Sequence, residues 1–214
     1  MLLIKNLNKM KKSIIKNVII SVIAGFAVVS CNLFGLPLQE EYPYEYTSKD
    51  PNINMTAYEF VESRQTIDMA RMYEAILITG LESEYREPNR TFIILNDNAF
   101  SSYMSDKNLT DLTISDTEVL KNYLLSNIAR GEFTSLNLNT VPKEMDILFS
   151  NDSTKLFLNR RGVSVSSQNK YEIDVNNFPG SSRSFRVRTS NILPTNGVIH
   201  VVNNYPEYRI APLP

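Results

Sequence analysis

Two periodicities divide this chain. From Thr56 to about Leu124, apolar residues recur at helical spacing. From Met145 to Asn203 they come instead as short, β-branched runs separated by turn residues. Helices that mostly precede strands do not build a doubly wound parallel sheet. They predict an α+β domain with a mostly antiparallel sheet.

The helical half carries its own start and stop signals. Thr56-Ala57-Tyr58-Glu59 fits a capping box and predicts a short helix to about Arg64. Ala70, Tyr73, Ile76 and Leu77 define one apolar stripe, and Gly80 stands where a C-terminal glycine takes positive φ. Ser115-Asp116-Thr117-Glu118 predicts another capped start, with Val119, Leu120, Tyr123 and Leu124 on one face. Predicted strands are Met145–Phe149, Lys155–Leu158, Val163–Val165, Tyr171–Val175, Phe185–Thr189 and Val198–Asn203, with Asn196-Gly197 a tight-turn dipeptide. One strand breaks the order: Thr91–Leu95 is short, apolar and β-branched, and turns through Asn96 as an Asx cap into a helix.

Ahead of the domain stands an address segment. Residues 1–30 hold five lysines and no acid, and Val18–Val29 is an unbroken run of apolar or small residues. Twelve such residues are too few to span a bilayer, which takes about 20, but they suit a secretory signal. Val28-Val29-Ser30-Cys31 resembles the lipobox of bacterial lipoproteins. That resemblance implies that Cys31, the only cysteine, is acylated and becomes the N-terminus, giving a membrane partner through lipid. Met10 opens a compact signal by itself, so the start can be Met1 or Met10. The expected organisation is a signal at 1–30, a lipidated tether at 31–54, one domain at 55–207 and a tail at 208–214. The tether carries Tyr42, Tyr44 and Tyr46, and Gln39-Glu40-Glu41 is loosely similar to acidic surface-export tags. Without residues 1–30 the chain has 17 basic against 23 acidic residues. That balance argues against nucleic acid as a partner.

Three stretches in order carry a family resemblance. TFIILNDNAF (Thr91–Phe100), LKNYLLSNIARGEFT (Leu120–Thr134) and TNGVIHVVNNY (Thr195–Tyr205) resemble the signature segments of fasciclin domains. With the lipobox, the chain is similar to fasciclin-domain lipoproteins of the Bacteroidetes type. The resemblance implies a wedge of two small, mostly antiparallel sheets with helices packed around them. It also implies that the first and last segments form adjacent central strands. Thr91, Asn96, Asp97 and Phe100 in the first, and Asn196, Gly197 and His200 in the last, then belong to the framework. His200 is the only histidine and is flanked by Val198, Ile199, Val201 and Val202. In a strand buried on both faces it is expected to hydrogen-bond the first segment, around Asn96 or Asp97. The family's tyrosine–histidine pair, tied to integrin binding in animal members, falls on Ser126 and Asn127. Leu95-Asn96 replaces its usual proline–threonine, which is expected to loosen that turn.

Motifs for chemistry are missing from the sequence. There is no G-x-S-x-G elbow, no His/Cys cluster for zinc, no calcium loop and no phosphate or dinucleotide motif. No cofactor and no enzymatic activity are expected, although paired carboxylates for glycan processing can come from distant positions. Arg160, Arg161, Arg183, Arg186 and Arg188 form a candidate binding surface for a carboxylate-bearing glycan or an acidic partner. Asp152-Ser153-Thr154 resembles a short O-glycosylation acceptor. The expected function is a lipid-anchored interaction module of the outer membrane, at the cell surface or on its periplasmic face. Its expected partner is a TonB-dependent transporter or a substrate-binding lipoprotein, with adhesion as the alternative.

Overall fold

The computed structural model describes residues 50–207 apart from 152–153, 162–171 and 182. Cys31, the tether tyrosines, Ser153 and the predicted strand Val163–Val165 lie outside the described residues, as does Tyr171.

Among the described residues four α-helices form: α1 (Ala57–Ser63), α2 (Ala70–Thr79), α3 (Asp97–Asp106) and α4 (Thr117–Ser126). The capping box of α1 is present in both directions: Thr56 Oγ1 accepts from Glu59 N–H, and Glu59 accepts from Thr56 N–H. Helix α2 ends on Gly80 in the left-handed region (φ 63°). Its buried face overlaps the expected one only at Ile76, with Tyr73 half-buried against the core. Met72, Ala75, Ile76 and Thr79 are buried, whereas Ala70 is exposed and Leu77 is 44 % exposed. In α4 the cap moves one residue on. Ser115 closes a 3₁₀ turn (Leu112–Ile114), and Asp116 accepts from Glu118 and Val119 N–H instead. Leu120 and Leu124 are then buried and Val119 is exposed.

Eight short strands among the described residues make two four-stranded sheets. β1 (Arg90–Leu95), β2 (Ile128–Arg130), β7 (Thr189–Ile192) and β8 (Gly197–Val202) pair in the order β2-β1-β8-β7. β3 (Lys143–Glu144), β4 (Phe157–Arg160), β5 (Ile173–Val175) and β6 (Phe185–Arg186) pair in the order β3-β4-β5-β6. All pairs are antiparallel except β1·β8, which runs parallel and in register from Arg90↔Gly197 to Leu95↔Val202. The two expected central strands are therefore adjacent. Every residue of β8, and all of β1 after Arg90, is buried. That is the burial expected of parallel strands covered on both faces.

Two runs expected as single strands change partner half-way. In Met145–Phe149, Met145 N–H donates to Leu156 O, in line with the β3·β4 pairing just before it, but Arg130 N–H donates to Asp146 O and Leu148 N–H to Ile128 O on β2. Phe185 and Arg186 pair with β5, but Arg188 N–H donates to Val201 O on β8. The strand expected at Lys155–Leu158 sits slightly later, at Phe157–Arg160. Hydrogen bonds thus run in a closed circuit through β8, β1, β2, residues 143–148, β4, β5 and residues 185–192. The two sheets share both of their borders.

The folded part begins before Met55. Asn52 bridges Leu193 in parallel, Ile53 N–H donates to Leu193 O, and Thr195 N–H donates to Met55 O. The last residues assigned to the tether thus extend the sheet beside β7.

Candidate functional site

The framework residues expected from the sequence each hold one junction. Asn96 caps α3 by accepting from Ala99 N–H, and its own N–H donates to Val202 O on β8. The turn after β1 is therefore closed, not loosened. Asp97 reaches a different helix: its Oδ1 accepts from Arg71 N–H at the start of α2, where Met69 supplies no side-chain cap. Phe100 is fully buried. Asn196 ends the loop between β7 and β8, and its side chain makes three long-range bonds. Its Oδ1 accepts from Ala57 N–H, while its amide donates to the carbonyls of Tyr85 and Glu87. Gly197 opens β8 against the backbone of β1: a Cβ there would lie 2.0 Å from Arg90 O.

His200 is fully buried, but its partners are not those expected. Nε2–H donates to Phe133 O at 2.8 Å, and Nδ1 accepts from Asn191 N–H at 3.3 Å. This assignment requires the neutral Nε2 tautomer. Burial pushes its pKa down to about 4, against a partial upward pull from the bond to Phe133. The first signature segment does meet this region, through Thr91 and not through Asn96 or Asp97. Thr91 Oγ1 donates to Gly131 O at 2.7 Å and accepts from Phe133 N–H at 2.9 Å. Asn191, itself left-handed at φ 60°, completes the arrangement by exchanging bonds with Ser135 N–H and Oγ.

Together these groups fix one loop, residues 131–142. Its own side chains finish it. Thr134 N–H donates to Asn137 Oδ1, Asn137 donates to Glu132 O, and Leu136 N–H donates to Thr134 Oγ1. Leu138 is buried beneath, but Leu136 and Val141 are 73 % and 72 % exposed. The sequence reading missed this loop. Its only signal was two aliphatic residues standing among Thr, Asn and Pro.

The five arginines do not form one uncompensated patch. Arg161 lies 3.8 Å from Asp174, and Arg186 lies 3.0 Å from Glu172 across β5 and β6. Arg183 is elsewhere, paired with Asp106 at 3.0 Å and stacked 4.1 Å over the Tyr205 ring. Arg160 is half-buried at the end of β4, and Arg188 is exposed. Ser126 and Asn127, at the family's tyrosine–histidine position, are buried at the end of α4. Ser126 Oγ bonds Asn122 O and Phe149 O, and Asn127 donates to Tyr123 O. Among the described residues no helix is long and apolar enough to cross a membrane, and no group of three His, Cys, Asp or Glu could hold a metal ion.

The chain is similar in structure to the FAS1 domain pair from the insect cell adhesion molecule Fasciclin I. The TM-score is 0.53 and the identity 15 %. The likeness covers 72 % of this chain and 51 % of that one, so the chain spans about half the length of the pair. No curated protein matches the sequence. The fasciclin domain model matches residues 68–205, well over half of the chain. The chain belongs to the fasciclin domain family.

Proposed function

We propose that this protein is a non-enzymatic interaction module held on the outer membrane by acylated Cys31, and that it serves as an accessory subunit of a TonB-dependent import complex. The observation that carries the binding role is the use made of its buried polar side chains. His200 has both ring nitrogens engaged by backbone groups, Thr91 and Asn196 each bridge separate segments, Asn96 caps α3, and half-buried Asp97 reaches α2. These side chains are engaged in holding the scaffold together. Family membership supports the same role. The lipobox-like Val28–Cys31 and the acidic mature chain support the anchor and the envelope location.

Adhesion is the second reading, favoured by the likeness to a cell adhesion molecule. Against the animal type of adhesion, Ser126 and Asn127 are buried and engaged in closing α4. Affinity purification separates the two readings. The chain is tagged after Pro214, extracted from the outer membrane in mild detergent and compared with Cys31→Ser. A transporter or substrate-binding lipoprotein recovered in near-stoichiometric yield is the expected result. Wild-type protein that reaches the membrane and comes down alone removes the accessory-subunit reading.

A further inference from the structure

The chain contains a single Asn-Gly dipeptide, Asn196-Gly197. Besides making tight turns, this pair has a chemistry of its own. A glycine amide has no side chain to hinder it, so its nitrogen reaches the preceding carboxamide more readily than that of a bulkier residue. Once deprotonated, Gly197 N can attack Asn196 Cγ. The new N–C bond closes a succinimide ring, the Cγ–Nδ2 bond breaks, and ammonia leaves with the proton. Water then opens either imide carbonyl and yields aspartate or isoaspartate. Overall one water enters and one ammonia departs, with no oxidant or cofactor.

In the folded domain each group of that reaction is held. Asn196 is 5 % exposed. Its Oδ1 accepts from Ala57 N–H at 2.9 Å, and Nδ2 donates to Tyr85 O and Glu87 O, both at 3.0 Å. Turning Cγ towards Gly197 breaks these bonds. The nucleophile is restrained as well. Gly197 N–H donates back to Pro194 O, and the residue lies against Arg90 O too closely to admit a Cβ.

What guards the site is the lead of the chain into the domain. Leu193 N–H donates to Pro51 O, Ile53 N–H to Leu193 O, Thr195 N–H to Met55 O and Ala57 N–H to Asn196 Oδ1. Residues 51–57 are thus joined step by step to residues 193–196. The last step falls at the start of α1, a helix of only 7 residues. A short leading segment at the border of a fold belongs to its low-stability end and opens before the core does.

We propose that Asn196 is a deamidation site guarded by residues 51–57, so that peeling of this lead commits an opened domain to an irreversible change. Aspartate at 196 places carboxylate oxygens against the carbonyls of Tyr85 and Glu87, which need donors. Isoaspartate inserts an extra methylene into the main chain where β8 begins. The parallel register that starts at Arg90↔Gly197 leaves no room for it. A molecule that recloses quickly is spared, and one that stays open is marked and cannot close again.

The full-length protein is incubated at mildly alkaline pH in buffer and in denaturing urea. Tryptic peptides are followed by mass spectrometry, and isoaspartate is detected with an isoaspartyl methyltransferase. In buffer, deamidation at Asn196 is expected to be about a hundredfold slower than in urea. Thr56→Ala removes the cap of α1 and is expected to raise the rate in buffer about fivefold. Asp116→Ala removes the cap of α4, at a cost to stability matched by urea melts, and is expected to leave the rate at the wild-type value. All three chains are expected to react alike in urea. Modified chains returned to buffer are expected to lose the near-ultraviolet tyrosine signal of the native fold. Equal wild-type rates in buffer and urea overturn the proposal. So does a Thr56→Ala rate that stays at the wild-type value, or one matched by Asp116→Ala, which marks global unfolding as the route. Modified chains that regain the native signal and urea midpoint overturn it too, since the change is then not a committing one.

Discussion

A histidine whose two ring nitrogens both meet backbone groups has a narrow choice of protonation state. His200 must be neutral to accept from Asn191 N–H, and burial holds its pKa down to about 4 against an ordinary 6.5. The unfolded chain takes up the proton first as pH falls. The stability that the neutral ring contributes is complete above about 6.5 and is lost progressively down to about 4. At pH 5.5 the loss is about 1.4 kcal/mol relative to neutral pH. Urea midpoints measured from pH 7.5 to 5.5 should fall accordingly, and His200→Gln should flatten that dependence. Gly197 poses a steric problem instead of a titration. Its missing Cβ is what lets β8 lie against Arg90, so Gly197→Ala should cost about 3 kcal/mol or more. A variant within about 1 kcal/mol of wild type in denaturant melts would mean that β1 and β8 can slide apart. Sequence reasoning placed His200 in a buried strand because its apolar neighbours are local. It misplaced the partners because Phe133 and Asn191 reach the ring only through the tertiary fold.

Among the elements, caps were easier to read than faces. Thr56, Gly80 and Asn96 act within a turn of their own helix, so four residues of sequence carry the signal. The stripe of α2 was right at Ile76 and rotated elsewhere, because Met72 and Thr79 were not counted as core and Ala70 and Leu77 were. Helical spacing alone does not choose between overlapping faces. Nor could sequence show that α2 borrows its N-terminal acceptor from Asp97, 26 residues later. Asp97→Ala should cost about 1 kcal/mol by orphaning Arg71 N–H, whereas Asp97→Asn, which keeps an acceptor, should recover at least half of it. Thermal melts of the two variants decide this. The strands Met145–Phe149 and Phe185–Thr189 were recognised as extended. Their change of partner escaped notice because side-chain alternation does not record which neighbour the backbone meets.

Across the whole domain, the class of fold and the adjacency of the two signature strands were legible, since both follow from motif order and burial. The joining of the sheets was not, because it depends on short backbone pairings at Ile128–Arg130 and Val201 that any residue types could make. That closure bears on how the protein behaves when crowded. A sheet normally exposes a border of unpaired amides on which a second chain can template, the first step towards aggregation and fibrils. Here residues 143–148 and 185–192 each serve both sheets, and Asn52 covers part of the remaining flank at Leu193. Copies packed side by side at high density therefore offer one another little strand to recruit, and can remain individually folded neighbours.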